Sequence, residues 1–329
     1  MPTLAGGDAL ADCLRSLESQ TFDRFEVVVV DNSGEARAEA AVPGESTRVR
    51  VIANRTNVGF GAAINQGFRD SQAPYLAALN DDAATDPRWL EILLAAAEAQ
   101  PRAGMWASEV RLAGSGTLDS AGMLVAADGS SKQRGHGELP SVYRTKTDAL
   151  LPSGSAALYR RKMLDEIGLF DESFFLYCED TDLGLRARWA GWECAYVPGA
   201  IVEHRYSQSA GRASLLKAYY VERNRLFLAI KNFPFAMLLR TPFAAFTRYL
   251  WHLVSLFAGH GKAAEFRRAG NASALLPFLV LRAHVSAVFH LPELLRQRRA
   301  IRATRRISPR EFETLLASHS IPLRQVAAL

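Results

Sequence analysis

Cysteine is scarce in this chain: Cys13, Cys178 and Cys194 stand far apart among 329 residues. They make neither a disulfide framework nor a zinc spacing, which fits a reducing compartment. No basic start followed by an apolar run opens the sequence, so no signal peptide is expected. Acidic residues are sparse in the rear. Residues 205–329 hold 5 Asp+Glu against 20 Lys+Arg, whereas residues 1–204 hold 29 against 19. No stretch supplies the roughly 18 consecutive apolar residues of a spanning helix. Three catalytic signatures are also missing. The absence of G-x-G-x-x-G removes support for hydride transfer, the absence of a P-loop removes support for an NTPase, and the absence of G-x-S-x-G removes support for a serine hydrolase.

What is present is a globular composition, 49% hydrophobic and 22% charged, able to bury a sizeable core. In the front part short β-branched or apolar runs alternate with helical patterns. Val27–Val30, Val49–Ile52 and Tyr75–Leu79 read as strands. A glycine-bearing turn at Asn57–Gly61 leads into a helix to about Phe68, and further helices are expected over Pro87–Ala99 and Arg160–Ile167. Such alternation predicts an α/β fold on a mostly parallel sheet. Residues 103–150, rich in Gly and Ser, read as an elaborated loop or hairpin region with short strands at most. A last strand is expected over Ala195–Val202, with Pro198-Gly199 as an edge or turn feature. From about Ser214 the pattern turns helical, which predicts a sheet domain over 1–212 and a basic, amphipathic helical region over 213–329. Apolar stretches near 235–258 and 272–292 are interrupted by Arg240, Arg248 and Arg282. They suit an anionic bilayer interface with the arginines reaching headgroups, and an ordinary helical core is the alternative. Nucleic acid is not expected as a partner, because the basic half is also rich in Leu, Phe, Trp and Ala.

Two acidic clusters carry the chemistry. Glu179, Asp180 and Asp182 open a helix that closes at Gly191, with an Asp182–Arg186 pair at i,i+4. Capping alone accounts for one acid at a helix start; three in four residues suit a base that deprotonates a hydroxyl. Asn80, Asp81 and Asp82 follow an apolar strand directly. In open α/β sheets ligands gather at the carboxyl ends of strands, so Asp81 and Asp82 are expected to point into a crevice together. Paired carboxylates repel unless a cation neutralises them, and oxygen ligands suit Mg²⁺ or Mn²⁺. Asp31 and His204 also sit at strand ends; a mixed Asp/His set leans toward Mn²⁺.

Taken together, the pieces resemble the family 2 glycosyltransferases, and among them the rhamnosyltransferase-like members. They are Cys13-Leu-Arg-Ser-Leu17 with Gln20, Val27-Val-Val-Val-Asp31-Asn-Ser, Asn57-x-Gly59-Phe-Gly61-x-x-x-Asn65-x-Gly67, Leu79-Asn-Asp-Asp82 and Gly154. Gly168-x-Phe170-Asp-Glu-x-Phe174-Phe175, Glu179-Asp180-x-Asp182-Leu-x-x-Arg186, Gly191, His204 and Tyr219-Tyr220-x-x-Arg223-Asn224 continue the series. The resemblance spans residue 2 to about 232, and the order and spacing are more specific than any single piece. It implies a GT-A fold, a nucleotide-sugar donor, inversion at the anomeric carbon, and a growing cell-surface glycan, lipid-linked if the basic tail docks on membrane, as acceptor. By the same resemblance Asp180 is the general base with Glu179 beside it, Asp82 binds the metal on the diphosphate, and His204 is a further metal ligand. Asp31 holds the pyrimidine base, while Asn57, Gly59, Asn65, Asn80 and Asp81 line the donor site. Arg223 would reach phosphate. The enzyme is expected in the cytoplasm, peripheral on the membrane's inner face, with dTDP-rhamnose as first donor candidate.

The chain departs from the family pattern at its start. Members begin with a buried apolar strand ending near a Pro-Thr pair, whereas this sequence opens at Met1-Pro2-Thr3; that strand is expected to be missing, with the true start upstream. Two rivals remain. A sugar nucleotidyltransferase needs a basic Gly-rich N-terminal loop, and Leu4–Asp8 lacks the basic residue. A non-catalytic membrane-binding module has no need to keep both acid clusters.

Overall fold

The computed structural model describes residues 1–42, 47–205, 214–268, 270 and 275–328. In chain order the elements are β1 (Pro2–Thr3), α1 (Gly7–Glu18), β2 (Val27–Asp31), β3 (Val49–Ala53), α2 (Phe60–Arg69), β4 (Tyr75–Leu79), β5 (Ala83–Thr85), α3 (Trp89–Ala99), β6 (Ala103–Leu112), β7 (Leu118–Ser120), β8 (Met123–Val125), β9 (Ser131–Gln133), β10 (Ala156–Arg160), α4 (Arg161–Ile167), α5 (Glu179–Trp189) and β11 (Glu193–His204). Helices follow: α6 (Leu215–Asn232), α7 (Phe235–Phe257), α8 (Gly261–Arg268), α9 (Leu275–Ala303), α10 (Pro309–Ser318) and α11 (Leu323–Ala328). The chain forms two compact units. One comprises Met1–Gly122, Gln133–Ala187 and Trp192–Ser209; the other comprises Met123–Lys132, Arg188–Gly191 and Ala210–Leu329. The boundary expected at 212/213 lies outside the described residues.

In the first unit the β-branched run of β2 pairs in parallel with β1 and β3. β1 itself is two residues long, Pro2 and Thr3. A second sheet runs β4-β10-β6-β11-β5, with β7 on β6. It is mixed: β10 lies antiparallel between β4 and β6, while β11 runs parallel to β6. Alternation of strands and helices predicts parallel order only where a helix makes the crossover. The link from β6 to β10 runs through short strands and turns instead, which frees the strand direction. On α1, Leu10, Cys13, Leu14 and Leu17 repeat at helical spacing and join Val29, Trp89 and Leu93 in one core. Each fully buried Leu contributes about 1.5–3 kcal/mol. Tyr159 meets Phe68 and Phe170 edge-on in a second core, and Phe68 lies tilted against Phe170, with centroids 5.9–6.3 Å apart.

Residues 103–112, read from the sequence as irregular, form the ten-residue central strand β6. Its charged residues hid it. Glu109 is buried, but Arg111 Nε donates to it at 2.8 Å and Gly199 N at 3.1 Å. Those bonds remove the cost of burying the carboxylate. Pro198 falls between the paired stretches of β11. The β11–β6 register shifts between Val197 and Ile201, so a bulge accommodates the residue that lacks an N–H.

In the second unit, arginines do work assigned in the sequence to the membrane. Arg248 is buried, with Nε donating to Asp128 at 2.5 Å and Nη2 to Glu222 at 2.6 Å. Arg298 and Arg302 donate to Ile230 O and Phe233 O at 2.7 and 2.9 Å, satisfying carbonyls at the end of α6. Trp189 stacks on Phe312 at 4.0 Å, and a Ser308/Glu311 capping box starts α10. Phe235, Leu239, Phe243, Phe246, Leu250, Leu253 and Phe257 form an exposed stripe on α7, and Phe257 is 88% exposed. By length and composition α9 is long and apolar enough to cross a membrane. Counting uninterrupted apolar residues hid this, because Arg282 splits the run.

Candidate active site

The two acidic clusters meet at one end of the mixed sheet. Because β4 and β10 are antiparallel, the residue after β4 lies beside the residue before β10: Asn80 N donates to Ser155 O at 2.9 Å. The preceding residue, Gly154, donates its N–H to Asp180 Oδ2 at 2.9 Å. Thr181 N and Oγ1 donate to Asp180 Oδ1 at 2.6 and 3.1 Å. Burial nevertheless keeps the Asp180 carboxyl above its usual pKa against these bonds. That raises its strength as a base while leaving it ionisable. A Cβ on Gly154 would lie 3.4 Å from Asp180 Oδ2 and 3.3 Å from Phe60, so glycine gives the backbone close access to the carboxylate.

Glu179 differs from its neighbour. Its side chain is buried, and among the described residues Oε2 has no hydrogen-bond partner. Burial, and then the charge of Asp180, push its pKa up to about 8. At neutral pH Glu179 therefore keeps its proton for the most part. The segment before it is strained: Phe175, Tyr177 and Cys178 all have positive φ, between 63° and 70°. Such residues cost about 1–3 kcal/mol each and concentrate at functional sites.

The second cluster centres on His204, the last residue of β11, paired with Ala83 beside Asp82. Its Nε2 lies 3.2 Å from Asp82 Oδ1 and 3.2 Å from Asn80 Nδ2, and its Nδ1 lies 2.8 Å from Asp119 Oδ2. Burial works against the imidazolium, but bonds to Asp119 and Asp82 outweigh it and raise the pKa to about 9. Asp119, on β7, was not recognised in the sequence. It is buried between His204 and His136, whose Nδ1 lies 3.1 Å from Oδ1. Burial raises the Asp119 pKa, and the two histidines more than reverse it. Asp119 carries no motif, and no spacing signals it; its place follows only from β7 pairing with β6 next to β11.

Asp81 and Asp82 do not point together. Asp82 turns to His204, whereas Asp81 Oδ2 accepts from Thr3 Oγ1 at 2.6 Å. The two residues lie in the turn between β4 and β5, where each side chain follows its own partner. Burial, reinforced by the Asp82 charge, pushes Asp81 upward against the Thr3 bond.

Asp31 ends β2 with both oxygens held by backbone, Oδ1 by Ser33 N and Oδ2 by Ala38 N, each at 2.7 Å. Burial pushes its pKa up, but the bonds from Ser33 and Ala38 prevail and hold it low. Asn57 Oδ1 accepts from Gly59 N at 2.9 Å, fixing the turn into α2. Gly59 has φ +91°, and a Cβ there would meet Phe175 O at 2.5 Å. Asn65 is buried: Nδ2 donates to Phe170 O and Glu172 Oε1, and Oδ1 accepts from Phe170 N. Its bonds fasten α2 to the segment leading to Asp180. Arg223, in the second unit, is buried and stacks on Tyr220 and Phe227 at 4.7 and 4.9 Å.

Among the described residues no group of three or more His, Cys, Asp or Glu side chains is assembled as a metal cage. Asp82 Oδ1 and His204 Nε2 nonetheless fit a divalent ion. Their 3.2 Å separation is close to the roughly 3 Å expected for neighbouring ligands on one octahedral ion with bonds of about 2.1 Å. Asp119 bonds the far nitrogen of the imidazole, as carboxylates do behind metal-binding histidines.

Comparison with known proteins places the chain in a family. The model of glycosyl transferase family 2 matches residues 1–168, and that of glycosyl transferase family group 2 matches residues 90–289. The chain is 30% identical over 255 residues to N-acetylglucosaminyl-diphospho-decaprenol L-rhamnosyltransferase of Mycobacterium tuberculosis, an alignment covering 70% of this chain and 83% of that protein. It is 34% identical over 90 residues to rhamnosyltransferase WbbL of Escherichia coli, covering 25% of this chain and 33% of the relative. Among solved structures, a Pyrobaculum calidifontis mannosyltransferase in complex with GDP-Man and Mn²⁺ superposes with a TM-score of 0.52 at 16% identity, over 96% of this chain and 84% of that one. The GT-A fold expected from the sequence is thereby found. The family model over the sheet and a rhamnosyltransferase aligned along most of both lengths lead to one conclusion: the chain belongs to glycosyl transferase family 2 and is a glycosyltransferase.

Proposed function

We propose that this enzyme moves a sugar, with rhamnose from dTDP-rhamnose as the leading candidate, to a hydroxyl of a lipid-linked cell-surface glycan, with inversion. The observation that carries the reading is the link Asn80–Ser155–Gly154–Asp180, two 2.9 Å bonds that seat a carboxylate base beside the Asn80–Asp82 turn. Donor and acceptor classes rest on the mycobacterial relative, whose name specifies a rhamnosyl transfer to a diphospho-decaprenol-linked sugar.

Asp180 accepts the acceptor's proton as the hydroxyl attacks the anomeric carbon. Backbone N–H groups from Gly154 and Thr181 orient the carboxylate. Glu179 holds its proton beside it. Asp82 and His204 would hold Mn²⁺ or Mg²⁺. When bound, that ion would neutralise the departing nucleoside diphosphate. Asp119 fixes the His204 ring so that Nε2 faces Asp82. Asp31, with the turn from Asn57 to Gly59, borders the donor base. Inversion needs a single displacement, and no side chain must form a covalent intermediate.

A membrane position on the cytoplasmic side fits the reading, supported by the exposed apolar stripe on α7, the apolar length of α9 and the basic excess of residues 205–329. The test is incubation of the full chain with a panel of nucleotide sugars, a polyprenyl-diphosphate-linked GlcNAc acceptor and Mn²⁺. Acceptor-dependent release of dTDP, with an inverted linkage in the product, is expected. Release from no donor in the panel would reject the reading.

A further inference from the structure

Asp119 has a histidine on each side, and only one of them, His204, belongs to the acidic cluster. The other, His136, lies in the segment after β9. Backbone bonds run that segment alongside β7: Ala121 N donates to Arg134 O at 2.9 Å, Gly137 N to Leu118 O at 2.8 Å and Leu118 N to Glu138 O at 2.8 Å. Gly135, just before the histidine, has φ +77°, and a Cβ there would meet the Tyr143 ring at 2.8 Å and Leu118 Cδ1 at 3.0 Å. The turn therefore needs glycine at that position, and it delivers the His136 ring to Asp119. His136 Nδ1 lies 3.1 Å from Asp119 Oδ1, and His204 Nδ1 lies 2.8 Å from Oδ2. Asp119, His136, His204 and Asp82 all belong to the first unit.

Among the described residues, the Asp119 side chain bonds to these two rings alone. An ionised carboxylate only accepts, so each ring presents Nδ1–H to it. That leaves Nε2 as the His204 atom able to give a lone pair to an ion, and Nε2 is the atom beside Asp82. Side-chain exposure falls from 28% at His136 to 2% at Asp119, so water has little access to take over the bond to Oδ1. A buried oxygen stripped of its donor is costly, and the carboxyl then turns to find another. We propose that His136 is a positioning residue for the divalent ion: by holding Oδ1 it fixes the Asp119 carboxylate, and Oδ2 in turn holds the His204 ring with Nε2 toward Asp82. The proposal rests on the reading of Asp82 and His204 as the ion's ligands. Outer partners of this kind set both the tautomer and the orientation of a ligating imidazole.

Mn²⁺ binding to the full chain is read from the electron paramagnetic resonance signal of the free ion, with dTDP or UDP present and no acceptor, so turnover plays no part. His136→Ala is expected to raise the Mn²⁺ Kd about 3–10-fold, less than loss of Asp119 itself. His136→Phe keeps the ring's bulk without a donor and is expected to match the alanine variant, which covers the case in which alanine fails to fold. His136→Asn places Nδ2 where Nδ1 stood and is expected to stay within about twofold of the parent. In an Asp119→Asn background His136→Ala is expected to add nothing, because both changes break one chain of bonds. A merely structural role would instead let the two losses multiply, and that outcome overturns the proposal. Parent-like Mn²⁺ affinity in both the alanine and phenylalanine variants overturns it as well. A parent that binds Mn²⁺ with neither nucleotide rejects the metal reading itself, and the proposal falls with it.

Discussion

Both units bury carboxylates, yet to opposite ends. In the helical unit Asp128 and Glu222 are consumed by Arg225 and Arg248, and the Arg248 guanidinium that the sequence offered to a membrane is spent on them. Burial would raise the pKa of Glu222, but the two arginines hold it at about 2. In the sheet unit Asp180 is held by backbone N–H groups and one hydroxyl, and among the described residues nothing holds one oxygen of Glu179. Their pKa values move up. Burial and charge are therefore shared by both sets; the partner is what differs. A guanidinium locks a carboxylate into structure, while peptide dipoles orient it and leave it able to take a proton.

The largest effect that could break this contrast is on catalysis. Asp180→Asn keeps the shape and the donor pocket, so transfer should fall by about 10³-fold with little change in donor KM. Turnover near the parent's level would remove Asp180 as base and leave the two units alike. Next, Glu222→Ala removes the carboxylate that Arg225 and Arg248 share, leaving Asp128 alone to face both. A loss of about 3–5 kcal/mol is expected, and Tm measured by calorimetry should drop by roughly 6–15 °C. An unchanged Tm would mean that the network is not structural.

Asp119→Asn is expected to weaken apparent Mn²⁺ affinity about 10–100-fold, read by calorimetric titration with nucleoside diphosphate present. Equal affinity would show that the Asp119 bond does not tune His204. The smallest effect concerns Glu179. Its pKa rises from 4.5 to about 8 on folding, so the native state keeps a proton that the unfolded chain loses. Its contribution is complete below about pH 4.5 and disappears as pH climbs through 8. Glu179→Gln stays neutral throughout, and its Tm should gain on the parent's by about 6 °C between pH 5 and pH 9. Parallel pH curves for the two proteins would place the proton elsewhere.

Strands β2, β3 and β4 and helices α2, α4 and α5 were legible because each has an unmixed pattern. The Asp182–Arg186 bond, at 2.9 Å, followed from i,i+4 spacing alone. Strand β6 was not legible, since Glu109 and Arg111 interrupt its apolar pattern and their mutual pairing is invisible in sequence. Adjacent acids suggested a joint role for Asp81 and Asp82, but side-chain direction in a turn depends on what each meets, and Thr3 claims Asp81.

Local chemistry determined much of this protein: which segments become strands, which acids stand at their ends, and how charge divides between front and rear. Composition and order along the chain are enough for that, because propensity and periodicity act within a few residues. The pairing of Asp119 with His204, 85 residues apart, and the route from Asn80 to Asp180 through Ser155 and Gly154 belong to the tertiary structure. Sheet register and burial set those distances, and both are properties of strands that meet only after the chain has folded.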